Sequence, residues 1–157
     1  MSYITKIASV AISAIVISTP VFAQDAKVLE AAVKARQAQM TLYAFNLGLL
    51  GDMAKGKVEY DAQKAQAAAS GLTALTKLDG SRMWLPGTDN ESLENTRALP
   101  AIWAEGSDVG EKSKALKAAV AAMDEAAGQG LEPLKAAIGG LGGACGACHK
   151  AYRAPKS

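Results

Sequence analysis

The chain has 157 residues; half are hydrophobic, 20% are charged and only 5% are aromatic. That is one domain's length, with ample apolar content for a core and too few aromatic residues for a β-sandwich. With 17 basic and 15 acidic residues the net charge is +2, too balanced for a nucleic-acid binder.

Residues 1–23, MSYITKIASVAISAIVISTPVFA, hold one lysine and no acidic residue, with an apolar stretch from Ile7 to Ile17. Val21-Phe22-Ala23 fits signal-peptidase cleavage after Ala23. The apolar stretch is shorter than the roughly 20 residues of a membrane span. Cleavage removes Lys6 and lowers the net charge from +2 to +1. The product, residues 24–157, is expected in the periplasm of a Gram-negative host, with no stable membrane insertion.

The rest reads as four helices, rich in Ala, Leu, Lys, Glu and Gln. The first is predicted from Ala26 to Gly51, with Asp25 available as N-cap. Leu29, Val33, Arg36, Met40, Tyr43, Leu47 and Leu50 share one face. Arg36 interrupts that apolar seam, so it either snorkels to solvent or meets a carboxylate. Gly56–Glu59 is a connection, and the second helix runs from about Asp61 to Leu78. Residues 79–99 form a long irregular stretch with a Pro86-Gly87 turn; Met83, Trp84 and Leu85 are expected to fold back over the core.

A third helix is predicted from Pro100 through Trp103, Val109, Leu116, Val120 and Met123, weakened early by Gly106 and Gly110. The fourth starts near Leu131, and its seam is Leu131, Leu134, Ile138, Leu141, Cys145, Cys148 and Tyr152. The fold class is therefore all-α, an antiparallel four-helix bundle. After cleavage only six aromatic residues remain, and much of the apolar content is alanine. A large flat cofactor would fill the middle of such a bundle.

Cys145-Gly146-Ala147-Cys148-His149 is C-x-x-C-H, the attachment signature of a c-type haem. On a helix the two thiols lie one turn apart on one face, matching two neighbouring vinyl groups, and His149 follows within reach of iron. A redox pair would expect a βαβ context, and zinc would want four ligands. Here the motif uses the only two cysteines and the only histidine. One covalent haem c per chain is expected. The pairs Gly139-Gly140 and Gly142-Gly143 are read as bare helix surface against which the macrocycle lies close.

Arg36-Gln37-Ala38-Gln39-Met40, Met53-Ala54-Lys55-Gly56, Tyr60-Asp61, Pro100-Ala101-Ile102-Trp103 and Cys145–Arg153 together resemble the class II c-type cytochromes, the cytochrome c-prime family. Its low-spin members of the c-556 and c-554 type are included. The resemblance implies a left-handed four-helix bundle, often a homodimer through the first two helices. It implies His149 as proximal ligand, Arg36 at a haem propionate, and Arg153 on the proximal side. It also places Met40 on the distal side. In low-spin members a methionine there binds iron. In high-spin members iron is five-coordinate and open to NO or CO. Helix lengths put Met40 and His149 at levels about 10 Å apart.

The expectation drawn from these features is single-electron transfer, with His149 and Met40 both on iron, a redox partner protein, and no enzymatic turnover. The alternative is a high-spin cytochrome c-prime that binds NO or CO at an open distal face.

Overall fold

The computed structural model describes residues 21–156. The leader expected over residues 1–23 lies outside that range, apart from its last three residues. Four helices form the molecule: α1 (Val21–Ala54), α2 (Ala62–Thr76), α3 (Val109–Ala126) and α4 (Leu131–Tyr152). They pack as a ring, α1 on α2, α2 on α3, α3 on α4 and α4 back on α1. The all-α four-helix bundle is thus as expected. Among the described residues no helix is long and apolar enough to cross a membrane.

α1 runs three residues past its expected end. Asp61 caps α2 by accepting a 3.0 Å hydrogen bond from the Lys64 backbone N–H. The third helix differs from expectation. Pro100–Ile102 is a single 3-10 turn, and α3 begins only at Val109. Gly106 takes φ +78° between them, a left-handed conformation that ends one helical run before the next begins.

The core divides in two. The main cluster closes one end of the bundle around Leu50, Met53, Leu72, Met123, Leu134 and Leu141, with Ala65, Ala68 and Ala69 bringing α2 close. A small second cluster, Ala98, Ile102 and Tyr152, lies at the other end, with Trp84, Trp103 and Cys148 packed against it.

The 79–99 stretch is a strap across that second end. Met83, Trp84 and Leu85 fold inward as expected and are half-buried. The Trp103 indole N–H donates to the Trp84 carbonyl at 3.0 Å. The strap then pairs with the chain's end: Leu99 N–H donates to the Tyr152 carbonyl, and Ala154 N–H to the Arg97 carbonyl. These bonds fix the strap beside the last turn of α4.

Candidate functional site

Cys145, Cys148 and His149 lie on α4, and all three are half-buried. The two thiols are not joined in a disulfide. Burial pushes both thiols above their ordinary pKa; the Lys112 ammonium works against this at Cys148. Both are therefore neutral thiols at pH 7. His149 is pushed down, first by burial and then by the Arg153 and Arg97 guanidinium groups. Its imidazole is neutral at pH 7, the form that offers a lone pair to a metal.

Tyr43 is half-buried on α1 and packs against the main core cluster. Burial, and then the Cys145 sulfur, push its hydroxyl above the ordinary tyrosine pKa. Met40, one turn earlier on α1, is half-buried and belongs to neither core cluster. At 1.5 Å per residue it lies about 21 Å from the end of α1, and His149 about 27 Å from the start of α4. The longer α1 thus shrinks the expected mismatch of levels by several ångströms.

Arg36 is only 4% exposed, so it does not snorkel. Among the described residues it meets no carboxylate either. Nη1 donates to the Thr88 hydroxyl at 2.9 Å and the Met83 carbonyl at 3.3 Å. Nη2 donates to the Thr88 carbonyl and the Thr96 hydroxyl, both at 2.8 Å. The guanidinium also lies 4.7 Å from the centre of the Trp84 ring. Four neutral acceptors and an aromatic face surround the guanidinium and bind the strap to α1, with Nε–H left over.

Gly139, Gly140, Gly142 and Gly143 of α4 are all exposed, and an added Cβ at any of them would meet no other protein atom within 4 Å.

Three neighbours of the site carried no clear signal in the sequence. Arg97 reaches the His149 end because the strap brings it there, and its Nη1 donates to the Ala154 carbonyl at 3.2 Å. Asp108 accepts from the Tyr152 hydroxyl at 2.5 Å, and its other oxygen pairs with Lys112 at 2.9 Å. Contacts across this much sequence are invisible to local periodicity.

The residues fit a haem c. Two neutral thiols and a neutral imidazole sit within one short stretch of α4, with Cys148 packed against the second cluster. Among the described residues no three His, Cys, Asp or Glu side chains converge to hold a metal ion directly.

The family model described as Cytochrome C' matches residues 31–153. The chain belongs to the cytochrome c' family. Cytochrome c-554 of Cereibacter sphaeroides is 40% identical over 147 residues, 94% of this chain and 96% of its own. A solved cytochrome c' from Rhodobacter sphaeroides is 41% identical, with TM-score 0.79, over 82% of this chain and 98% of its own. A cytochrome c' variant from Alcaligenes xylosoxidans, solved with carbon monoxide bound, is 34% identical with TM-score 0.70. It covers 81% of this chain and 97% of its own. Another variant of that protein was solved with nitric oxide bound.

These relatives correct one expectation. A six-coordinate, low-spin carrier with Met40 on iron does not agree with membership among cytochromes c' that take up CO and NO. A bound thioether would fill the position those gases need. The family's members are periplasmic cytochromes that carry electrons and bind gases, and they are not enzymes.

Proposed function

We propose that this cytochrome c' binds NO or CO at an open distal face of one haem c. The observation that carries this reading is the alignment, over four-fifths of the chain, with cytochromes c' that hold those gases. When bound, the haem would supply an iron able to bind a small uncharged diatomic.

The chain's own residues do the rest. The Cys145 and Cys148 sulfurs would hold the haem through two thioethers, and His149 would offer its neutral imidazole to the iron, with Arg97 and Arg153 nearby. Met40 lines the distal side as an apolar wall that excludes water. Arg36 holds the strap with four of its five N–H groups, which leaves Nε–H for a haem carboxylate. Residues 1–23 are an export signal removed after Ala23. Two chains pair through α1 and α2, where Leu42 and Phe45 stand 50% and 76% exposed. Electrons reach the haem from a redox partner protein.

A titration of the reduced holoprotein with CO and with NO, followed by visible absorption, tests this. Saturable spectral shifts with both gases are expected. A spectrum unmoved by either gas would show that the distal face is closed.

A further inference from the structure

The strap and the chain's end meet over the last turns of α4 and enclose a basin of about 670 Å³ that opens to solvent. Gly146, His149, Lys150 and Arg153 form its α4 wall; Arg97 comes from the strap and Lys156 from the tail. Backbone hydrogen bonds set these walls. Ala154 N–H donates to the Arg97 carbonyl at 2.8 Å, and Leu99 N–H to the Tyr152 carbonyl at 3.0 Å. Neither attachment cysteine lines the basin. Cys148 and Tyr152 pack instead in the second core cluster. The basin is therefore a vestibule outside the thioether positions, and His149 is the expected iron ligand that reaches it.

Four cationic side chains line this basin, and no aspartate or glutamate does. Elsewhere five lysines pair with a carboxylate. Arg97, Lys150, Arg153 and Lys156 form no ion pair among the described residues. Arg97 uses Nη1 on the Ala154 carbonyl, and the other three are exposed. Residues 24–157 carry a net charge of only +1, so four unpaired cations in one place are a local concentration. They come from three segments and spread their charge over a face. Such a face suits an array of carboxylates better than one small anion.

We infer that this basin is the docking surface for the acidic face of a one-electron donor protein, whose electron reaches the haem iron past His149. This rests on the reading that His149 binds the iron and that a redox partner protein reduces it. The donor's carboxylates settle among Arg97, Lys150, Arg153 and Lys156, which turns its redox centre toward the iron's own ligand. One electron leaves the donor and ferric iron becomes ferrous; no bond forms or breaks. Attraction between unlike charges speeds the encounter and fades as salt screens it.

The test mixes ferric holoprotein in stopped flow with reduced flavodoxin, an acidic one-electron donor, and separately with the methyl viologen radical cation. Lys150→Glu combined with Lys156→Glu should slow reduction by flavodoxin at low salt by about 10-fold or more, and flatten its salt dependence. Reduction by the viologen cation should be unchanged or faster. Lys55→Glu combined with Lys57→Glu makes the same charge change at the closed end of the bundle. It should slow flavodoxin by less than about twofold. Equal slowing by the two pairs, or a fall with both donors alike, would overturn the docking surface. Wild type alone gives a second readout. Carbodiimide coupling to oxidised flavodoxin, mapped by mass spectrometry, should join donor carboxylates to Lys150 or Lys156. Cross-links confined to other lysines would overturn the proposal even where the variants fail to fold. If neither donor reduces the haem, the redox reading fails, and the cross-link map still decides where an acidic protein docks.

Discussion

Arg36 ties the strap to α1: three strap residues supply its guanidinium with four neutral oxygen acceptors, and Trp84 supplies a ring. Replacing Arg36 with Leu would leave the buried Thr88 hydroxyl and carbonyl without their donor, while Thr96 would keep only the Ala98 N–H. A loss of about 2–4 kcal/mol in urea unfolding of the holoprotein is expected. Arg36→Lys should recover only part of it, because one ammonium cannot reproduce a planar fork. Asp108 is the second residue of consequence. The Tyr152 hydroxyl, and then Lys112, hold its carboxyl below the usual value. A carboxylate lowered on folding stabilises above its unfolded pKa of about 3.9 and loses that contribution as pH falls through the folded value. The melting temperature of wild type should therefore exceed that of Asp108→Asn at pH 7. The gap should close below pH 4. An equal gap at both ends of the range would show that the carboxylate charge is irrelevant.

At the scale of elements, the helices were legible where composition and spacing agree. The α4 seam, from Leu131 to Tyr152, coincides with the helix itself. The C-x-x-C-H motif was legible because its chemistry is local, needing only one turn of helix. What escaped was held by contacts distant in sequence. The strap is fixed by hydrogen bonds from Arg36 to residues 47–60 positions away. The break before α3 depends on one left-handed glycine, Gly106, which composition flagged only as a weakness. Gly140→Ala should stabilise the protein by about 0.5–1 kcal/mol, from helix propensity alone, and leave the haem spectrum unchanged. A shifted spectrum would mean that the macrocycle does rest on that surface.

For the whole molecule, the bundle has a closed end and a divided end. Leucine, methionine and alanine fill the first, while at the second Cys148 packs against a small cluster of Ala98, Ile102 and Tyr152. A haem c is the group that such an arrangement suits. Its expected role as a low-spin carrier failed because one methionine was taken to bind iron. A thioether at the distal position has the same sequence whether it ligates or merely covers. On the outside, Leu42 and Phe45 leave an apolar stripe on α1. Phe45→Glu should convert a dimer to a monomer in sedimentation velocity without altering gas binding; an unchanged sedimentation coefficient would remove α1 from the interface.

The coordination number of the iron decides the central claim most directly. Resonance Raman spectra of the reduced holoprotein without added gas should carry the marker bands of five-coordinate, high-spin haem, and Met40→Leu should leave them in place. Six-coordinate, low-spin bands in the wild type that disappear in Met40→Leu would contradict the open distal face.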